Sequence, residues 1–170
     1  VTGVQTCALP IYRDQGFLPE AICNYLLRLG WSHGDDEIIS RDEAVEWFNL
    51  EAIGRGATRF DADKLTNLNG HYIRHAEDAR LVDLVMPLLA QSLEGALDDA
   101  TVKRLNKGMA RLTESAKTLT ELADSAEIYA MTRPLSLNQK ATQLIQGDGP
   151  CHLDPLRRRL ADVWEWNPHA

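Results

Sequence analysis

The chain has no long apolar run. Nothing in it approaches the ~18–20 consecutive apolar residues that span a bilayer, and no basic stretch followed by an apolar one opens it. Neither a transmembrane helix nor a signal peptide is therefore expected. Cysteine is sparse: Cys7, Cys23 and Cys151 contain no C-x-x-C pair, which argues against a disulfide framework and for reduced thiols in a cytoplasmic protein. Positive charge is not in excess. With a net charge of -7, no global basic field draws in nucleic acid, so any RNA contact must come from a local patch. A phosphate-binding glycine loop is missing too. Gly54-Arg55-Gly56 lacks a third glycine and a preceding strand, and reads as a turn. Alternating runs are too short for a strand series. The first residue is not methionine, which we read as the mark of a piece of a longer protein.

What is present is helical pattern. Pro19 suits a first helical position, and Ala21, Ile22, Tyr25, Leu26 and Leu29 follow at spacings of three and four, with Gly30 as the stop. Ser40-Arg41-Asp42-Glu43 is a capping box for a second helix whose buried side is Ala44, Val45, Trp47 and Phe48. Asp61 caps a third, running to about Arg74 with Leu65, Leu68 and Tyr72 inward. A fourth covers Asp78 to Leu97 and should kink or split at Pro87. A fifth runs from about Ala100 to Leu112. Thr118 and Glu121 form a second capping box opening a sixth helix to about Met131, and Pro134 closes that region. Helices over Asn138–Gln146 and Pro155–Val163 follow, separated by Gly147-Asp148-Gly149-Pro150. The fold class is all-α, in two consecutive helical units that meet near residues 75–78.

The first eleven residues, Val1–Ile11, fit neither period. They resemble a peptide obtained when sequencing-adapter DNA is translated in frame. We read them as non-native and set them aside from the fold; the alternative is a natural, loosely held arm.

Few residues invite a chemical role. Cys23, His33, Cys151 and His152 are the soft metal ligands, but they are scattered, whereas zinc sites cluster ligands in pairs. Cys23 reads as a core thiol. Asp35, Asp36 and Glu37 lack the alternating spacing of a calcium loop and read as a solvated turn. No G-x-S-x-G nucleophile signature occurs. No residue is assigned a catalytic or metal-binding role. The best candidates for phosphate contact are Lys103, Lys107 and Arg111, spaced i, i+4, i+8 on one helix face with Arg104 beside them. The plainer reading is a solvated face opposite an apolar one. Arg157-Arg158-Arg159 is a similar cluster.

A family resemblance rests on long blocks of unlike residue types. These are Tyr12-Arg13-Asp14 with Gly16, Leu18-Pro19-Glu20-Ala21, Asn24-Tyr25-Leu26 and Arg28 to Gly34. Phe60-Asp61, Asp63-Lys64-Leu65, Asn67-Leu68-Asn69 and His71-Tyr72-Ile73-Arg74 continue it, with a weaker block over Ala116–Ala123. The chain resembles the part of bacterial glutamyl-tRNA synthetases that follows their class I nucleotide-binding domain. The resemblance implies a stem-contact-like helical unit over residues 12–76 and an incomplete anticodon-binding helical domain over 77–170. It implies an intact enzyme that uses ATP, with Mg, to attach glutamate to tRNA(Glu), as a cytoplasmic monomer. No cofactor is expected in this chain.

The chain departs from that family in two ways. The HIGH-type motif is absent, and the lysine-rich KMSKR-type loop expected shortly before Tyr12 is replaced by eleven residues without lysine or arginine. The cations that stabilise a transferring adenylyl group are then missing, so the chain alone is expected to be inactive. Two readings compete with the tRNA-docking one. A stand-alone helical module would bind tRNA or protein without catalysis. A relative could also charge glutamine tRNA.

Overall fold

A computed structural model describes residues 8–54, 56, 58–93, 95, 97–131, 137–146 and 149–161. Among the described residues every regular element is a helix, as expected. The chain divides into two compact units, Val1–Met131 and Thr132–Ala170.

The first unit begins with α1, Ala8–Asp14. The helix starts inside the segment set aside as non-native. Its end is closed by backbone bonds from Gln15 N to Ile11 O at 3.0 Å and from Phe17 N to Tyr12 O at 3.0 Å. A turn through Gly16, at φ +84, leads to α2, Pro19–Gly30. Pro19 occupies the expected first turn. Gly30, however, is the last helical residue rather than a left-handed stop; Trp31, in extended conformation, ends the helix. The buried face of α2 is Ala21, Ile22, Asn24 and Tyr25. That places Cys23 in solvent, not in the core, and leaves Leu26 52% exposed. The buried arc is rotated toward Asn24, whose Nδ2 donates to Tyr72 Oη at 3.1 Å and to the Glu37 carbonyl at 3.2 Å.

The capping box of α3, Arg41–Trp47, forms as the sequence indicates: Glu43 N donates to Ser40 Oγ and Ser40 N to Glu43 Oε2. Its expected apolar side does not pack. α3 buries no residue, and Val45 is 77% exposed. At seven residues it packs chiefly on α2, and only Ala44 and Trp47 of that side turn partly inward. The His33 ring stacks on Trp47 at 4.3 Å.

Asp61 caps α4, Ala62–His75, by accepting from Asp63 N and Lys64 N. Leu65, Asn69 and Ile73 form its buried stripe at i, i+4, i+8. α5, Asp78–Ser92, runs through Pro87 as one helix and stops short of the expected Leu97. Pro87 lies on the exposed side, where a missing backbone donor costs least. α6, Asp99–Thr113, is capped by Asp98, which accepts from Thr101 N at 2.8 Å. Thr118 caps α7, Leu119–Ala130. Only half of the expected box forms there, because the Glu121 carboxylate accepts from Lys117 N instead of the cap's own amide.

Two apolar cores result. The larger gathers thirteen buried residues, among them Leu81, Val85 and Leu89 of α5, Leu105 and Met109 of α6, and Leu122 and Ala126 of α7. Leu18 and Ile73 also enter it. Gly108 serves this packing: a Cβ there would stand 2.6 Å from the Tyr129 ring, which would have to swing aside to admit a side chain. The smaller core is Ile22, Tyr25 and Leu65, with Tyr12, Phe17, Leu29 and Leu68 packed on it. The division expected near residues 75–78 falls at the short break between α4 and α5, inside the first compact unit.

The second unit contains α8, Gln139–Gln146, and α9, Gly149–Ala161. α9 begins six residues before the expected Pro155, which it incorporates. Its Leu153, Leu156 and Leu160, at i, i+3, i+7, are all exposed. The expected stop at Pro134 and everything after residue 161 lie outside the described residues.

Candidate nucleic-acid interface

Two sets of cations can meet an anionic ligand in the first unit. The first is the row read from the sequence. Lys103, Lys107 and Arg111 stand exposed on α6, opposite the stripe of Leu105, Met109 and Leu112 that faces or borders the larger core. Lys103 and Lys107 make no ion pair among the described residues, and Arg111 reaches Glu114 at 3.4 Å across one turn. Arg104 is differently employed. Its Nε donates to the Tyr129 carbonyl at 2.9 Å and its NH2 to Thr101 Oγ1 at 2.7 Å, with Asp98 Oδ1 at 3.9 Å. It ties the start of α6 to the end of α7. Hydrogen bonds from Thr101, and then the Arg104 charge, hold the Asp98 carboxyl below its ordinary range.

The second set was not singled out from the sequence. A cleft of about 1150 Å³ lies along α2 and α4. Arg28, Arg59, Lys64 and His71 line it, against Glu37 and Asp61. Arg28 is paired with Glu37 at 3.6 Å, and the Asp61 carboxylate is occupied in capping α4. Arg59 and Lys64 make no ion pair among the described residues, so the cleft presents net positive charge to an incoming ligand. Aromatic rings form its wall: Tyr25 and Phe60 meet edge to face at 5.2 Å, and the Tyr25 hydroxyl accepts from Asp61 N at 2.6 Å. Burial, and then the neighbouring His75 and Arg74, push His71 below the ordinary histidine range, so it is neutral near neutral pH. The sequence signal that could have found this site is the clustering of Arg59, Phe60 and Lys64 about the Asp61 cap. Each residue alone reads as an ordinary surface residue.

No group of three metal-ligating side chains occurs among the described residues. Cys23 and Cys151 are exposed, and His33 is engaged with Asp36 at 3.0 Å. Among the described residues no helix is long and apolar enough to cross a membrane.

The comparisons with known proteins agree with one another. The family model described as tRNA synthetases class I (E and Q), catalytic domain, matches residues 4–67. Over those residues the chain is similar to the class I aminoacyl-tRNA synthetases. Within that class its homologues are the glutamate–tRNA ligases. "Glutamate--tRNA ligase 2" of Paramagnetospirillum magneticum is 53% identical over 156 residues, which are 91% of this chain and 33% of that protein. The protein of the same name from Zymomonas mobilis is 49% identical over 160 residues, 94% of this chain and 33% of its own. A crystal structure of a glutamate tRNA ligase from Elizabethkingia meningosepticum, in complex with its amino acid, superposes with a TM-score of 0.70 at 22% identity. It covers 90% of this chain and 30% of that one, and shows likeness of fold. The glutamate-tRNA synthetase of Elizabethkingia anophelis gives a TM-score of 0.60 at 26% identity, over 78% of this chain and 26% of that one.

The chain spans about a third of the length of the curated relatives it matches. The family match starts at residue 4, within the segment set aside as non-native, and ends inside α4. It thus counts α1 to α3 with the catalytic domain's sequence.

Proposed function

We propose that this chain is the tRNA-docking part of a cytoplasmic glutamate–tRNA ligase whose intact form attaches glutamate to tRNA(Glu) in translation. ATP, with Mg, and glutamate are handled by sequence this chain does not contain. The observation that carries the reading is the 53% identity to a glutamate–tRNA ligase over 91% of the chain. The charge distribution of the chain supports it. An acidic protein that binds RNA needs local cation clusters, and two are present, on α6 and in the cleft along α2 and α4. The order of units we favour is a stem-contact part over residues 12–76 and an anticodon-side part from 77. The protein acts as a monomer, and alone it forms no aminoacyl-adenylate, for want of the lysine-rich loop.

Binding of tRNA(Glu) to the 170-residue chain, measured against salt concentration, tests this reading. Replacing Lys103, Lys107 and Arg111 by alanine should weaken binding and flatten the salt slope by about one per lost phosphate contact. An unchanged slope removes α6 from the interface. ATP–pyrophosphate exchange by this chain alone would contradict the assignment of the chemistry elsewhere.

A further inference from the structure

Three segments distant in sequence meet at one buried side chain. Asn69, with no exposed surface, accepts from Leu18 N at 2.7 Å through Oδ1, and its Nδ2 donates to the Lys117 carbonyl at 2.6 Å and the Gly16 carbonyl at 3.3 Å. The Gly16 carbonyl accepts a second bond, from Leu119 N at 2.9 Å. A Cβ on Gly16 would stand 2.7 Å from Thr120 N and 2.8 Å from Leu119 N, and its φ of +84 already disfavours any side chain. Lys117 Nζ donates to Asn67 Oδ1 at 2.9 Å on the rim of the same contact. The α1–α2 turn, the middle of α4 and the start of α7 are therefore fastened by polar bonds, at a place where the sequence pattern of α4 calls for an apolar residue.

Only an amide side chain fits this role. It needs one acceptor and two donors facing backbone groups of two different segments. Leucine would leave those groups unpaired in the interior, and a carboxylate would face two carbonyls. Leu18 and Ile73 already carry the α2–α4 side into the larger core, and the bonds at Asn69 add directed contacts that fix how the two cores stand on one another.

We propose that the Gly16–Asn69–Lys117 contact is a rigid joint that holds the cleft along α2 and α4 at a fixed distance and angle from the basic row on α6, so that one structured RNA engages both. The inference rests on the RNA-docking reading above. Each cation cluster alone is a weak site. Held in fixed geometry, the second contact becomes intramolecular and adds affinity without new contacts, and nothing has to be ordered on binding.

The test uses the 170-residue chain with Gly16→Ala, which forces the turn away from α7, and Asn69→Asp, which keeps the acceptor and loses the donors. Amide exchange and binding of a tRNA(Glu) transcript are read on both. The Leu18 and Leu119 amides should exchange faster while those of Leu105 and Met109 hold their rates, and tRNA binding should weaken about tenfold or more. The joint is refuted if Leu18 and Leu119 keep their protection, or lose it only in step with Leu105 and Met109. It is equally refuted if those amides are freed and tRNA affinity does not move. A wild-type chain that binds no tRNA overturns the functional reading instead, and the exchange data then decide the joint separately.

Discussion

The two cores of the first unit are built by different means. The larger closes three helices, α5, α6 and α7, on one another with aliphatic side chains, and a glycine lets two of them approach closely. The smaller has three buried residues and depends on rings: Tyr12 against Phe17 at 5.9 Å and Tyr25 against Phe60; beside it Tyr72, which packs on the larger core, donates to the Ile39 carbonyl at 3.2 Å while accepting from Asn24. Burial in the first is non-directional and sums over many methyl groups. In the second, stability hangs on a few directed bonds, and the α3 region beside it keeps large apolar residues in water. The part that carries the cleft thus rests on fewer buried side chains and leans more on directed contacts.

That contrast can be broken from either side. Leu105→Ala, in the larger core, should cost about 2–5 kcal/mol and lower the whole unfolding transition in urea, because the cavity lies where three helices meet. A change confined to α6, with α2 and α4 untouched, would mean the cores fold separately. Tyr72→Phe should cost less, about 0.5–2 kcal/mol, by removing one donor and one acceptor from the Asn24–Ile39 link. Its exchange signature should stay in α2, α4 and the segment around Ile39.

The smallest effect concerns pH. Burial holds His71 below its ordinary value of 6.5, so the unfolded chain takes up this proton first as pH falls. Stability is therefore complete above that value and declines as pH drops from it toward the depressed folded value. His71→Gln should remove that decline. The same group should make RNA binding stronger at mildly acidic pH, since a phosphate in the cleft favours the charged ring. A wild-type stability curve identical to that of the variant would show that His71 does not titrate in this way.

The legible part of the sequence was the part set by local chemistry. The α3 capping box, the Asp61 cap and the Thr118 cap each satisfy backbone amides within a turn, and periodicity alone drew the stripes of α5 to α7. What failed depended on partners elsewhere in the chain. Val45 and Phe48 had the spacing of a buried face, but a seven-residue helix resting on α2 leaves both exposed. Arg104 matched the basic row in type and place, yet the end of α7 captures it. Asn69 sat on an apolar stripe with no local sign that three backbone segments would converge on it. The basic cleft was illegible for the same reason: Arg28 belongs to α2 and Arg59 and Lys64 to the approach and first turn of α4, and only the fold lines them on one groove.

Gly108 has a further consequence for the row of cations. It is the neighbour of Lys107, and its missing side chain lets the Tyr129 ring lie close against α6, which favours the present rotational phase of the helix. A one-residue change of phase would swing the row by roughly 100° about the helix axis. The compass bearing of Lys103, Lys107 and Arg111 is thus biased from the buried flank of the same helix, by an atom that is not there.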